Sequence, residues 1–200
     1  MSFEKTFVWT AETACRLHLF ADTRYRLWVN ETFVAHGPGR FVTAFPEYDS
    51  HELDPWLTPG ENRIRVEVNY YGTSSYQSMP DGMPGFIAAG GTADGSVDFS
   101  TPGDWRARVH EAWDGQAPLF SFAQNPLEIC DTRRLQTELA DDSLSGGVRV
   151  LSGDEAPWRE LTPRSVPQPD YAKVIPETLQ LAAPVRSGPV YGFQSFQPQA

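Results

Sequence analysis

Through the first half of the chain, hydrophobic and polar residues alternate in short runs, and each run is stopped by Gly, Pro, Asn or Asp. Leu17 and Leu19 alternate with Arg16 and His18. Tyr25, Leu27 and Val29 alternate with Arg24, Arg26 and Trp28, and Ile64, Val66 and Val68 with Arg63, Arg65, Glu67 and Asn69. Successive side chains of a strand point to opposite faces, so these runs predict strands with one buried and one solvated face. Ala21-Asp22-Thr23 and Asn30-Glu31 read as turns in a hairpin series; Asn30 tolerates positive φ, whereas Glu31 suits the next position less well. Phe86 to Ala89 and Val97 to Phe99 flank Ala93-Asp94-Gly95 as another hairpin, and DWRARVHEAW sets Trp105, Ala107 and Val109 against Arg106, Arg108 and His110. Helical periodicity is nearly absent. One short turn is expected between Leu53 and Leu57, with Asp54 before Pro55 as its cap. About eight to ten short strands and no helical layer predict an all-β fold built as a two-sheet sandwich.

Three stretches break this pattern. Trp28 stands on the arginine side of its strand, where water is expected. Its expected cover is, in order, a docked domain or the chain's own tail, then a stacked arginine such as Arg26 or a cross-strand neighbour, then an open sugar platform. YYGTSSYQSMPDGMPG, residues 70–85, is aromatic, polar and rich in breakers, the composition of a long loop of the kind that carries function. Beyond Leu161 lie Pro163, Pro167, Pro169, Pro176, Pro184, Pro189 and Pro198. Proline lacks a ladder donor and fixes φ, so this tail is expected to be extended and at most an edge strand. The expected organisation is a β-sandwich over residues 1–162 and a Pro-rich extended tail or linker over 163–200, leading to a downstream domain.

Charge narrows the partners. With 26 acidic against 16 basic residues among 200, the formal net charge of -10 repels phosphate backbones and anionic membrane surfaces, so neither nucleic acid nor membrane is expected. Only Lys5 and Lys173 are lysines; nearly all positive charge is guanidinium, which pairs with carboxylates or lies on aromatic rings. No signal-peptide pattern opens the sequence and no stretch is long enough to span a bilayer, which points to a cytoplasmic protein. Cys15 and Cys130 fit neither a zinc spacing nor a redox pair and are expected to be reduced.

The run YRLWVNETFVAHGPGRFVTAFPEYDSHELDPWLTPGENRIRVEVNYYG places Y-x-L-x-V-N, G-P, Y-D and L-x-x-G-x-N-x-I-x-V-x-V in order. It resembles the N-terminal galactose-binding-like sandwich of bacterial α-L-rhamnosidases and related glycoside hydrolases, and PLEICDTRRL and PWRELTPRSVP are similar to segments that follow that sandwich. The resemblance covers roughly residues 7–167. It implies a two-sheet jelly-roll sandwich (galactose-binding-like) with a Pro-rich extended C-terminal tail. It also implies that catalysis belongs to a helical barrel downstream, with no counterpart in this chain. Glu31 departs from the family's usual glycine.

The candidate chemistry is that of a binding module. A glycosidase needs two opposed carboxylates, one of them protonated. Glu47, Asp49, Glu52 and Asp54 cluster in FPEYDSHELD, but turn chemistry, capping and solvation account for them, so no catalytic residue is assigned. His18, His36, His51 and His110 have no ligand spacing and read as ordinary or satisfied histidines. Sugar binding uses aromatic faces with polar groups beside them. Tyr70, Tyr71, Tyr76 and Asp81 in the long loop offer both, with Trp28 a further candidate; the bland account is that the tyrosines pack the loop down. The resemblance leaves a structural calcium open, as in rhamnose-binding relatives, but no run of Asp and Asn at oxygen-ligand spacing stands out, so no metal residue is assigned and no other cofactor is expected. The sequence therefore reads as a non-catalytic accessory module of an α-L-rhamnosidase-like glycoside hydrolase, whose partners are a downstream catalytic domain or partner chain and carbohydrate. The alternatives are a free-standing lectin-like module and an enzyme in its own right using the carboxylates near Tyr48.

Overall fold

A computed structural model describes residues 1–10, 13–79, 83–119, 121–140, 148–154, 158, 160–171 and 175–178. The chain divides into two units, Met1–Pro169 and Asp170–Ala200, and of the second only 170, 171 and 175–178 are described. The first unit holds β1 (Ser2–Trp9), β2 (Cys15–Asp22), β3 (Arg24–Val29), β4 (Thr32–Gly37), β5 (Glu47–Glu52), β6 (Gly60–Asn69), β7 (Gly85–Thr92), β8 (Arg106–Arg108), α1 (Thr132–Ala140) and β9 (Thr162–Pro163). The strands form a five-stranded sheet in the order β4-β3-β6-β1-β8 and a four-stranded sheet in the order β7-β2-β5-β9. All pairings are antiparallel except β5 with β9.

The alternation places the core as expected. Leu17, Leu19, Tyr25, Leu27, Val29, Ile64, Val66 and Val68 are all buried, joined by Phe7, Phe20, Leu53 and Phe99. The β7 hairpin also forms: Thr92 donates its N–H to Val97 and Phe99 to Gly90 around the expected turn. The short turn between Leu53 and Leu57 forms as a 3-10 turn over Asp54–Trp56. Asp54, however, accepts the Cys15 N–H at 2.7 Å instead of capping that turn.

Two expectations fail, each for a physical reason, while the Asn30-Glu31 turn forms. Ala21-Asp22-Thr23 is not a hairpin turn, because β2 and β3 lie in different sheets. Period-two alternation identifies the buried side of a strand but not its sheet. Asn30 and Glu31 both take positive φ, 47° and 61°, as a tight hairpin turn requires. Asn30 is fixed by bonds to Asn62 (2.8 Å) and Arg63 N–H (3.0 Å), and the Glu31 carboxylate is held by Arg65 at 3.1 Å. In DWRARVHEAW the alternation stops with β8: Val109 is exposed while Arg108 and His110 are buried. The cause is α1, nine residues absent from the sequence reading, whose Glu138 takes His110 Nδ1 at 3.1 Å and whose backbone carbonyl at 138 accepts from Arg108. Asp131 caps this helix, accepting the Arg133 N–H at 3.0 Å.

Candidate functional site

On the outer face of the five-stranded sheet, β3 and β6 pair Trp28 with Arg65, Arg26 with Glu67 and Arg24 with Asn69. These three cross-strand pairs have different fates. The Trp28 pair is closed: the Arg65 guanidinium lies 4.8 Å from the indole centroid and Phe33 of β4 meets it edge-on at 5.3 Å. Arg65 is thus only 4% exposed, although its strand position predicted solvent. The cover found for Trp28 is an arginine, Arg65 directly opposite, and not Arg26. Arg26 instead sits under Trp113 at 5.2 Å and pairs with Glu67 (3.2 Å) and Glu128 (4.0 Å).

Around the other two pairs the face opens into a polar cleft of about 430 Å³, lined by Arg24, Arg26, His36, Glu67, Asn69, Tyr71, Asn125 and Glu128 with the edge of Tyr25. Arg24 donates to the Pro38 carbonyl at 3.1 Å. Arg24 and Asn125 approach the Tyr71 hydroxyl, and burial is the main cause that raises the Tyr71 phenol above its ordinary pKa, with Arg24 opposing. His36 titrates below its ordinary value, chiefly through desolvation and then through the guanidinium charges of Arg24 and Arg164. Asn125 is fixed from behind, accepting from Ser75 (2.9 Å) and Ser78 (2.8 Å), so it clips the 121–126 turn to the 70–79 loop.

Of the five residues named from sequence, Tyr71 alone lines this cleft. Tyr70 is half-buried beside Gly72. Tyr76 is exposed and tilted against Phe122 at 5.5 Å. Trp28 is engaged as described, and Asp81 lies outside the described residues. Sequence reasoning passed over Arg24, Arg26, Glu67 and Asn69, treating them as a solvated strand face. Asn125 and Glu128 carried no local signal, since they reach the cleft from more than fifty residues away in the chain.

The FPEYDSHELD carboxylates do not face one another across a cleft. Asp49 is fully buried, contrary to the expected surface placement, and accepts from the Tyr25 hydroxyl and from Arg164 Nη1 at 2.8 Å. His51 Nε2 meets the same hydroxyl at 2.9 Å. Gly37 makes room for this network: a Cβ there would fall 2.1 Å from Asp49 Oδ2 and 2.5 Å from the Tyr25 oxygen. Glu47 accepts the Ser165 N–H at 3.2 Å, and Glu52 pairs with Arg16 at the surface. Among the described residues no three His, Cys, Asp or Glu side chains converge as metal ligands, and no helix is long and apolar enough to cross a membrane. Both thiols are free, and burial is the main cause pushing Cys15 up to about 12.

The His51 imidazole is held down to about 4, first by burial; Arg164 and His18 act in the same direction and Asp49 against it. As pH falls below 6.5, the unfolded chain takes up a proton that folded His51 refuses until about pH 4. This group therefore supports folding fully above pH 6.5, and that support is lost between pH 6.5 and 4. The loss amounts to about 3 kcal/mol by proton linkage. Urea titrations at pH 7 and pH 4 check it: the stability difference between the two is expected to shrink in His51→Gln, and an unchanged difference would contradict the assignment.

A scan against protein-family models finds no match, and a search of curated proteins finds none. Among solved structures, a GH78 family rhamnosidase of Bacillus sp. GL1 superposes with a TM-score of 0.70 and 31% identity over 84% of this chain. This chain is similar to one part of a GH78 rhamnosidase. It spans only 18% of that enzyme's length. The α-L-rhamnosidase of Aspergillus terreus aligns at 20% identity over 60% of this chain and 15% of that one, with a TM-score of 0.46. A lectin from Pleurotus ostreatus, in complex with GalNAc, aligns at 21% identity over 64% of this chain and 35% of that one, with a TM-score of 0.35. The rhamnosidase likeness thus extends from the ordered motifs of residues 25–72 to most of a two-sheet sandwich.

Proposed function

We propose that this chain is a non-catalytic sandwich module of an α-L-rhamnosidase-like glycoside hydrolase, which supports a catalytic domain carried elsewhere and contacts glycan through the Arg24–Glu128 cleft. The observation that most supports this is the rhamnosidase alignment, which takes in 84% of this chain but 18% of the enzyme, the proportion of one module. The chemistry of the carboxylates agrees. A glycosidase acid must sit opposed to a base with room for the sugar and water. Here Asp49 is buried in a pair with Arg164, Glu67 is shared between Arg26 and Arg65, and Glu128 pairs with Arg26. The cleft's mixture of one phenol with amide, guanidinium and carboxylate groups suits a hydroxyl-rich ligand. A free-standing lectin-like module is the second reading, supported by the same cleft.

One experiment addresses both parts of the proposal. The isolated protein is expected to release no aryl leaving group from an aryl α-L-rhamnoside above background, with Glu47→Ala and Asp54→Ala no different, while a glycan array retains ligands that Tyr71→Ala loses. Turnover abolished by either carboxylate substitution would replace the module with an enzyme. A blank array would remove glycan contact.

A further inference from the structure

The cleft is electrostatically lopsided. At one end Arg26 meets two carboxylates, Glu67 at 3.2 Å, which Arg65 also binds, and Glu128 at 4.0 Å. At the other, Arg24 is half-buried and meets no carboxylate within ion-pair distance among the described residues, its guanidinium being occupied by the Pro38 carbonyl at 3.1 Å and the Tyr71 hydroxyl. The Arg164 guanidinium, by contrast, already has a carboxylate, Asp49 at 2.8 Å. In a chain of net charge -10, a partly desolvated guanidinium without a counter-ion is an unfilled anion position. The guanidinium fork has donors to spare and matches a carboxylate bidentately.

We infer that the cleft takes a carboxylate-bearing sugar, a uronate residue, with its carboxylate on Arg24 and its hydroxyls toward Asn69, Asn125 and Glu128. This rests on the glycan-contact reading above. The volume of about 430 Å³ lies within the range of small-ligand sites, roughly 300–1,000 Å³. A phosphate monoester is the poorer fit, since its second negative charge gains nothing at the hydroxyl-binding end, where Glu67 and Glu128 repel anions. A uronate puts its single charge on Arg24 and its neutral hydroxyls among the flanking amides of Asn69 and Asn125 and the Glu128 carboxylate.

The test is titration of the protein, followed by amide NMR shifts, with methyl α-D-galacturonoside, with its carboxyl-reduced neutral counterpart, and with acetate. The uronoside is expected to bind at least tenfold tighter than the neutral glycoside, shifting amides near Tyr71 and Asn125, with the preference weakened by added salt. Arg24→Gln is expected to abolish the preference, and Arg24→Lys, which keeps the charge but not the fork, to retain part of it. Matching chemical shifts elsewhere in each variant confirm that it is folded. Equal binding of the two glycosides overturns the uronate assignment and leaves glycan contact standing. Binding of neither overturns both. Acetate binding as tightly as the uronoside, or a preference that survives Arg24→Gln, also overturns it.

Discussion

Asp49→Ala is expected to lower the free energy of unfolding by about 4 kcal/mol, as removal of one partner from a buried ion pair typically does. The substitution strips the half-buried Arg164 of its carboxylate and the fully buried Tyr25 hydroxyl of an acceptor. Glu47→Ala, two residues away on the same strand, removes one bond to the Ser165 N–H and is expected to cost about 1 kcal/mol. Urea unfolding of the two variants separates a buried carboxylate from a surface one. A cost for Asp49→Ala as small as that for Glu47→Ala would mean that Arg164 does not anchor the chain after β9. A double-mutant cycle with Arg164→Ala measures the coupling directly.

Trp158→Ala is the second large effect, again about 4 kcal/mol, the usual cost of truncating a buried tryptophan. Trp158 is 6% exposed, meets Phe20 at 5.4 Å and fills the space above Gly85, where a Cβ would come within 2.5 Å of its ring. For a domain of this size that loss shifts the melting temperature by roughly 8–16 °C. A segment serving only as a connector would show no shift, so thermal unfolding decides whether PWRELTPRSVP belongs to the folded sandwich.

How far the fold was legible depended on which kind of information each residue carries. Alternation is a local signal, and it placed Leu17, Tyr25, Leu27, Ile64 and Val66 in the core without error. It assumes that the opposite face is wet. Arg65 broke that assumption because an indole lay across from it, and His110 because a helix lay over it; both covers come from elsewhere in the chain. The same limit applied to the cleft. Tyr71 was legible as an aromatic in a loop full of breakers, whereas Arg24 and Arg26 looked like ordinary outward positions. Only the spatial arrival of Asn125 and Glu128 turns that face into a concavity. Asp49 was misplaced for a related reason: its partner Arg164 is 115 residues on, and nothing near Tyr48 announces it.

Gly37 closes β4 where a single added carbon would strike both Asp49 and Tyr25. Neither group has another place to go, since Asp49 Oδ2 accepts from the Tyr25 hydroxyl while its Oδ1 faces Arg164, and that hydroxyl also meets His51. Position 37 is therefore a marker readable from sequence alone. In related sandwiches, a glycine there together with Asp at 49 and Arg at 164 signals the same internal lock, and a larger residue at 37 signals a sandwich whose two sheets are fastened in some other way.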